Sequence, residues 1–408
     1  MTATQSSATL ASDRAETGAT LQLLGADGSR HTASLLAAPA FQKPTDGLKS
    51  RELFAAAHVI PKVTSETVPG APADIDWDAT LDYRRQLWAW GLGVADAMDT
   101  AQRNMGLDAA ATRELIARTA EAARADGGRV AVGVNTDGRT EETLSLDEIE
   151  AAYLDQLHFA EEQGVIPVIM SSRHLARAAQ SPADYVRVYD RILSEVSTKA
   201  VIHWLGTAFD PSLAGYFGDP AWERAADTLI EIVTKHAARV SGIKMSLLDA
   251  QAERVVRSRL PEGVTMYTGD DFNYVELIRE DADGSYSDAL LGAFSVLAPN
   301  ASAAIQALDR GDEAEFSRIL TPTQELSRQV FAAPTFYYKT GVAFMSWLNG
   351  HQDAFRMVGG LHSARSLPHL SRIVELANAS GALERPELAL ERWHGMLRLD
   401  GLLKGDAA

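Results

Sequence analysis

Short apolar runs alternate with amphipathic segments between residues 55 and 300. Each run is apolar at nearly every position, which is typical of strands buried on both faces of a parallel sheet. Eight runs follow this pattern: residues 56–61, 93–98, 129–134, 165–170, 200–205, 241–246, 264–268 and 289–296. Because helix-like segments separate the runs, the pattern predicts eight consecutive strand–helix units.

Capping residues mark the ends of the intervening helices. Asp108 precedes one predicted helix, and Ser145 and Glu148 have the spacing of a capping box at the start of another. Eight strand–helix units over about 250 residues predict a (β/α)8 TIM barrel. A doubly wound open sheet is the alternative, although the first strand–helix turn lacks the Gly-x-Gly-x-x-Gly sequence of dinucleotide-binding folds.

The segments outside the barrel differ in character. Residues 1–18 are small and polar and are predicted to be disordered, while the Asp-Gly pair at residues 27–28 separates two strand-like runs and predicts a hairpin. Apolar side chains recur at helical spacing near the carboxyl end, among them Phe344, Trp347 and Leu348, and we expect this face to pack on the barrel or on a partner subunit. The predicted organisation is an N-terminal extension over 1–52, the barrel over 53–310 and a C-terminal helical extension over 311–408.

Composition and charge narrow the possible partners. Hydrophobic residues make up 46% of the 408 residues and charged residues 23%, as in ordinary soluble proteins. The 55 acidic and 38 basic residues give a net charge of −17, which disfavours nucleic acids and anionic membranes. Cysteine is absent, so disulfides, thiolate metal sites and a cysteine nucleophile are excluded. Without a signal-peptide pattern or a long apolar stretch, the expected location is the cytoplasm.

Lys244 is the clearest candidate for chemistry, since the active site of a TIM barrel lies at the carboxyl ends of its strands. It lies within the apolar sequence Gly-Ile-Lys-Met, late enough in the sixth run to reach the barrel mouth. Burial of an amine lowers its pKa and frees its lone pair for attack on a carbonyl carbon. The alternative is a structural lysine paired with Asp99 or Asp249, and among the other lysines Lys62 competes for a similar location.

His203 is the second candidate, because a histidine at a barrel mouth can transfer protons near neutral pH. Strand alternation allows only one of His203 and Trp204 to face the barrel interior, and we expect it to be His203. The alternative is a core histidine bonded to a carbonyl group. Aspartates at the strand ends also allow a site for a hard cation such as magnesium, which is a further alternative. These aspartates are Asp99, Asp137, Asp249 and Asp270.

Two motifs on consecutive predicted strands resemble one enzyme family. Residues 241–244, Ser-Gly-Ile-Lys, resemble the family's strand with its Schiff-base lysine, and residues 267–271, Tyr-Thr-Gly-Asp-Asp, resemble its Ser-Gly-Asp-Asp turn on the next strand. Residues 289–296 are similar to its eighth strand. Over residues 53–350 the chain thus resembles a divergent branch of the dihydrodipicolinate synthase and N-acetylneuraminate lyase superfamily.

The resemblance implies a lyase of the class I aldolase type. It implies an imine between Lys244 and a ketone or aldehyde, with no metal and no cofactor. It also implies that Thr100 and Gly269 line the carbonyl pocket and that His203 lies at or beside the family's proton-transferring tyrosine. Members of the family usually form dimers or tetramers, so a homo-oligomer is expected.

The second strand departs from the family and changes the expected substrate. The family sequence Gly-Thr-Thr-Gly-Glu holds a 2-oxo acid carboxylate, whereas residues 98–102 read Met-Asp-Thr-Ala-Gln. At about 4 Å, Asp99 would repel a substrate carboxylate by roughly 1 kcal/mol in water and about 4 kcal/mol at an effective dielectric constant of 20, unless Arg103 or Lys62 neutralises it. The alternative is an Asp99 that turns away and caps a turn. Polar residues expected to extend the same preference around the mouth are Asn135, Asp137, Asp270 and Asn273.

The sequence therefore predicts an aldolase or lyase acting on a small carbonyl compound, such as a neutral, hydroxyl-rich keto sugar or keto polyol derivative. A dehydratase acting through the same imine is the nearest alternative. A metal-dependent barrel enzyme that uses the aspartates, and a binding protein that retains the barrel without catalysis, are the other hypotheses.

Overall fold

A computed structural model describes residues 14–403, and a closed barrel of eight parallel strands forms its centre. An antiparallel hairpin precedes the barrel. The strands are β1 (Glu16–Leu24) and β2 (Arg30–Leu36) in the hairpin, and β3 (Leu53–Ala56), β4 (Gly93–Asp96), β5 (Val130–Val134), β6 (Ile166–Met170), β7 (Ala200–Leu205), β8 (Val240–Ser246), β9 (Thr265–Thr268) and β10 (Asp288–Leu291) in the barrel. Each barrel strand pairs with the next, and β10 pairs with β3. This closure confirms the predicted TIM barrel, whereas an open sheet would leave two free edges.

Helices cover the barrel and continue beyond it. Those of the barrel region are α1 (Trp77–Ala89), α2 (Ala109–Asp126), α3 (Leu146–Glu162), α4 (Arg173–Ala178), α5 (Pro182–Glu195), α6 (Trp222–Lys235), α7 (Ala250–Arg257), α8 (Tyr274–Ile278) and α9 (Ala298–Asp309). Those that follow are α10 (Glu313–Leu320), α11 (Thr323–Val330), α12 (Tyr338–Leu348), α13 (Leu367–Ser380) and α14 (Pro386–Leu399). Asp108 caps α2, and Ser145 and Glu148 form the predicted capping box of α3.

The first and last barrel strands differ from their predicted positions. The sequence predicts the first strand at residues 56–61, whereas β3 covers Leu53–Ala56. The ring of Phe54 fixes this register, because it packs where Gly93 of β4 has no side chain; a Cβ on Gly93 would lie 2.4 Å from the ring. The last strand ends at Leu291 rather than residue 296, because a short 3-10 helix, Ala293–Ser295, turns the chain.

A buried ion pair fixes the carboxyl end of β4. The Arg84 guanidinium donates to both carboxylate oxygens of Asp96, at 3.0 and 2.8 Å, and neither side chain is exposed. Thr119 Oγ1 donates to the same carboxylate at 2.7 Å. Arg84 also donates to the carbonyl of His58, just after β3. The pair thus ties α1 and α2 to the ends of two adjacent strands, below the loop that leads into the barrel mouth.

The hairpin packs on the C-terminal helices of the same chain. Trp393 Nε1 donates to the Gln22 carbonyl at 2.7 Å, and the amide of Leu24 donates to Ser371 Oγ at 2.7 Å. The apolar residues that the sequence offers for self-association are therefore internal: Phe344 and Leu348 are fully buried. Trp347 is half-buried, so most of this face packs within the chain, which is one of the two possibilities that the sequence left open.

The ends of the chain complete the comparison with the sequence. The sequence predicts disorder over residues 1–18, and residues 1–13 of this segment lie outside the described residues. Its last residues are ordered, because β1 begins at Glu16. Within residues 14–403, no helix is both long and apolar enough to cross a membrane.

Candidate active site

Lys244 projects into the barrel near the carboxyl end of β8. Alternate residues of a strand share one face, so Lys244 and Ser246 both point inward. Lys244 pairs in register with His203 of β7 and Tyr267 of β9, and it is 8% exposed. Burial lowers the pKa of the Lys244 amine to about 8, against the opposing influence of the Asp99 and Asp271 carboxylates.

A small cavity lies at the Lys244 side chain. Strand ends and the loops that follow them form most of its wall, and α12 contributes one residue, Tyr338. Its lining residues are Ala56, Met98, Asp99, Thr100, Leu205, Phe209, Lys244, Ser246, Asp271, Gly292 and Tyr338. The cavity thus combines an amine, two carboxylates and three hydroxyl groups with an apolar wall.

The loop after β4 carries Asp99 and Thr100 in a conformation held by the surrounding structure. Ala97 and Gln102 have φ values of 50° and 66°, in the left-handed region that side chains larger than glycine rarely adopt. Arg103, which is buried, donates to the carbonyl of Ala97 at 3.1 Å. Backbone conformations of this kind persist only where neighbouring contacts over-determine them. The loop is therefore a rigid part of the cavity wall.

Asp271 faces Lys244 from the turn that follows β9. Burial raises the pKa of the Asp271 carboxyl to about 7, although the Ala293 amide donates to it at 2.9 Å and Lys244 opposes the shift. The amine and the carboxyl have thus moved toward each other in pKa.

Gly269 allows β9 to approach Lys244 closely. A Cβ at this position would lie 2.1 Å from Ser246 Oγ and 3.0 Å from Lys244 Cε. The predicted residue is therefore next to the lysine, and its missing side chain provides the space in which the lysine side chain and the serine hydroxyl lie.

His203 faces the barrel interior, as predicted, while Trp204 points toward the helices and contacts the ring of Phe217. The imidazole is fully buried and is not part of the cavity wall. Its Nε2 lies 3.1 Å from Ser246 Oγ, and Ser246 does line the cavity. Burial, followed by the charge of Lys244, lowers the pKa of His203 well below its usual value, so the ring is neutral at physiological pH. The histidine therefore reaches the cavity through Ser246.

Three predicted binding residues lie away from the cavity wall. The Asn135 side chain is buried against the backbone of Thr136 and Ser171. Asp270 accepts hydrogen bonds from the amides of Phe272 and Asn273, so it shapes the turn into α8.

Asp137, the third, is half-buried and lies 3.8 Å from Arg103 Nε. It lines a separate groove of about 320 Å³ between α2 and α3, on the outside of the barrel. All three residues directly follow a barrel strand, so their sequence positions alone do not tell which of them face the cavity. The packing of the loops and helices decides where each side chain lies.

Two other lysines that could compete with Lys244, Lys62 and Lys339, lie outside the cavity wall. Lys62 is exposed and pairs with Asp74 at 2.7 Å, so it does not compete for the mouth. Lys339, which the sequence did not single out, is buried, and burial lowers its pKa to about 8. Its amine donates to the carbonyl of Phe336 at 3.1 Å and is not part of the cavity wall.

The aspartates considered as metal ligands are dispersed. Asp249 caps α7 through the amides of Gln251 and Ala252, and Asp270 caps the turn before α8. Within residues 14–403, the structure contains no group of three or more histidine, aspartate or glutamate side chains arranged to hold a metal ion.

Sequence reasoning missed three polar residues of the cavity wall. Ser246 could have been found, because it lies two residues after Lys244 on the same face of β8. Asp271 lies in the turn after β9, where strand alternation gives no direction. Tyr338 had no comparable signal: its hydroxyl lies 2.7 Å from Thr100 Oγ1, across 238 residues of sequence.

Solved structures with a similar fold include dihydrodipicolinate synthases and a further member of their family. The 4-hydroxy-tetrahydrodipicolinate synthase of Methylacidiphilum fumariolicum is 17% identical, with a TM-score of 0.60 over 85% of this chain and 99% of that one. Dihydrodipicolinate synthase from Aquifex aeolicus is 13% identical, with a TM-score of 0.57 over 87% and 100%. YagE of E. coli K12, a member of the same family solved in complex with pyruvate, is 12% identical, with a TM-score of 0.59 over 86% and 99%.

These identities are low, so the likeness establishes the fold, and the predicted resemblance in architecture is confirmed. No curated protein matches the sequence. Residues 21–402 match one family over nearly the whole chain. The chain therefore belongs to the family described as "Protein of unknown function (DUF993)", and its barrel has the dihydrodipicolinate synthase fold.

Proposed function

We propose that this protein is a lyase that forms a Schiff base between Lys244 and a small carbonyl substrate. The observation that carries the proposal is the Lys244 amine, which lies inside the barrel at a cavity, with its pKa lowered to about 8 by burial. At neutral pH an amine with this pKa is unprotonated far more often than an ordinary lysine, and only the unprotonated form attacks a carbonyl. The shared fold with dihydrodipicolinate synthases supports the same chemistry.

Asp271 is the proposed proton partner of Lys244. When the ammonium proton reaches the Asp271 carboxylate, the cavity wall holds a neutral amine and a neutral carboxylic acid. Both species suit a buried site better than two separate charges, because burial penalises charge. The free amine then adds to the carbonyl carbon.

The imine can then support cleavage or formation of a bond next to the former carbonyl carbon. A protonated imine accepts the electron pair that a breaking carbon–carbon bond leaves behind, which is aldolase chemistry. Loss of a hydroxyl group from the neighbouring carbon through the same imine would instead make the enzyme a dehydratase. The aldolase is our first proposal and the dehydratase our second, since both use the same lysine.

The cavity favours a neutral substrate that carries hydroxyl groups. Asp99 and Asp271 contribute carboxylates, and an ionised carboxylate only accepts hydrogen bonds, so it suits hydroxyl donors. Lys62 pairs with Asp74 on the surface and does not neutralise Asp99. The buried Arg103 guanidinium attracts the Asp99 carboxylate, although three of its donor groups are bound to other protein oxygens. We propose a keto sugar or keto polyol derivative rather than a 2-oxo acid, because two carboxylates and one amine line the wall.

His203 is proposed as a positioning residue. Its Nε2 holds the Ser246 hydroxyl, and that hydroxyl lies in the cavity wall beside Lys244.

Self-association as a dimer or tetramer stays a proposal that rests on the family resemblance. Sedimentation at 44 kDa at micromolar concentration would contradict it.

Borohydride trapping tests the lysine directly. The protein is incubated with dihydroxyacetone or with pyruvate, reduced, digested and mapped by mass spectrometry. We expect an adduct on the peptide that contains Lys244, stronger with dihydroxyacetone. Lys244→Arg should abolish it, since a guanidinium stays protonated, while the surface variant Lys62→Arg should leave it unchanged. An adduct on Lys339 or Lys62 instead would overturn the assignment, and trapping of pyruvate alone would overturn the substrate proposal.

A further inference from the structure

Tyr338 brings a phenol into the cavity from outside the barrel. It is the first residue of α12, it is buried, and its hydroxyl lies 2.7 Å from Thr100 Oγ1 in the loop after β4. It lines the same cavity as Lys244. The C-terminal extension thus completes the wall of a site that the barrel strands alone would leave open.

The phenol ring is held rigidly. It stacks on Phe331 with the ring centres 4.4 Å apart and the planes 13° apart, and Phe209 contacts it edge-on at 6.0 Å. Burial, followed by the nearby Asp99 carboxylate, holds the pKa of Tyr338 well above its usual value. The hydroxyl is therefore protonated before substrate binds, and it is aimed by contacts that do not depend on the substrate.

Imine formation needs a proton donor for the departing oxygen. The carbon that Lys244 attacks becomes a carbinolamine, and its hydroxyl leaves as water only when a proton reaches it. The neutral imidazole of His203 stops at Ser246 and is not part of the cavity wall. Asp271, in turn, is already the proton partner of the lysine. Among the three hydroxyls of the cavity wall, the phenol of Tyr338 is the strongest acid, because the alkyl hydroxyls of Thr100 and Ser246 release a proton far less readily.

We propose that Tyr338 is the acid–base residue of the Lys244 reaction, with Thr100 as the residue that positions its hydroxyl. The inference rests on the proposed Schiff-base function and adds a catalytic residue to it. It is carried by the Tyr338 hydroxyl in the cavity wall, its bond to Thr100 and the rings that clamp it.

The proton balance closes over two steps. In the first, the carbon–oxygen bond of the carbinolamine breaks, the Tyr338 hydroxyl proton leaves with that oxygen as water, and the nitrogen lone pair forms the protonated imine. In the second, the Tyr338 phenolate removes a proton from the carbon next to the imine, and the electrons of that carbon–hydrogen bond form the enamine. The phenol is regenerated, and neither an oxidant nor a metal is required.

The test separates imine formation from proton transfer. Dihydroxyacetone and pyruvate serve as probes in deuterated water: borohydride trapping reports the imine on Lys244, and NMR reports exchange of protons next to the carbonyl group. Tyr338→Phe keeps the stacked ring and removes only the hydroxyl. Tyr337→Phe, at the neighbouring half-buried tyrosine outside the cavity wall, is the matched control.

We expect Tyr338→Phe to retain the adduct after long incubation and to lose exchange by about 10²–10⁴-fold, the usual contribution of an acid–base group. Tyr337→Phe should match the wild type. Thr100→Val should lose less than Tyr338→Phe does, and Thr100→Ser should restore the rate, because serine keeps the hydroxyl. Urea unfolding checks that the variants remain folded.

Two results would overturn the inference in distinguishable ways. Wild-type exchange in a folded Tyr338→Phe variant that still forms the adduct would refute the role of Tyr338 and leave Lys244 chemistry intact. The absence of any Lys244 adduct in the wild type with either probe would refute the proposed function itself, and the inference with it.

Discussion

Gly269 is the position where one added methyl group tests the packing around Lys244 most directly. The Cβ of an alanine would lie 2.1 Å from Ser246 Oγ, 2.9 Å from the Met245 carbonyl oxygen and 3.0 Å from Lys244 Cε. All three distances are shorter than ordinary van der Waals contacts. The strand cannot simply move away, because the Gly269 amide donates to that same carbonyl at 2.8 Å.

The expected cost follows from which atoms can yield. The carbonyl of Met245 is backbone, and Ser246 Oγ is held by His203, so neither rotates away freely. Overpacking of a well-packed site costs about 1–3 kcal/mol. We expect Gly269→Ala to lower the free energy of unfolding by an amount in the upper part of that range, about 2–3 kcal/mol, and to slow borohydride trapping on Lys244.

Urea unfolding measures this cost, and two further variants make the measurement specific. Gly395 lies in α14, and its added Cβ would meet no atom within 4 Å, so Gly395→Ala should be neutral or raise stability by up to about 1 kcal/mol. Ser246→Ala removes the atom nearest to the new methyl group. In that background Gly269→Ala should cost less, by about 1 kcal/mol, because the two positions are coupled. Equal costs in both backgrounds, or a neutral Gly269→Ala, would refute the reasoning.

The remaining predictions concern charge and proton transfer. Trapping on Lys244 should rise with pH around a midpoint near 8, not 10.5, because only the unprotonated amine attacks. Asp271→Asn should move this midpoint lower, since the carboxylate raises the pKa of Lys244; an unchanged or higher midpoint would contradict the pairing. Asp96→Asn should lower the free energy of unfolding by about 3–5 kcal/mol in urea, because it leaves a buried guanidinium uncompensated; a loss below about 1 kcal/mol would show the pair to be dispensable. His203→Ala should slow proton exchange less than Tyr338→Phe does, and a greater loss would return the acid–base role to the histidine.

The architecture was predictable because its signals are local. A strand buried on both faces must be apolar along its length, and helix caps and hairpin turns need particular residues within four positions. The eight runs, the capping box at Ser145 and the Asp-Gly turn at residues 27–28 therefore predicted the barrel, a helix start and the hairpin. The same rule identified Lys244 as a candidate, because a charged side chain is not expected within a strand that is buried on both faces.

Tertiary structure alone decided which polar residues share the cavity. Asp270 and Asp271 are adjacent in the sequence, yet the turn after β9 gives the first a capping role and directs the second toward Lys244. No local pattern fixes such a rotation, because both residues are equally suited to a turn.

The closure of the mouth depended on contacts between distant parts of the chain. Tyr338 reaches Thr100 only because the first residue of α12 lies at the barrel mouth, and Phe344 is internal only because the same helix is covered within the chain. The sequence by itself determined the strands, the barrel and a lysine inside it. The packing of α12 determined the phenol that faces this lysine, because contacts between residues hundreds of positions apart leave no local trace in the sequence.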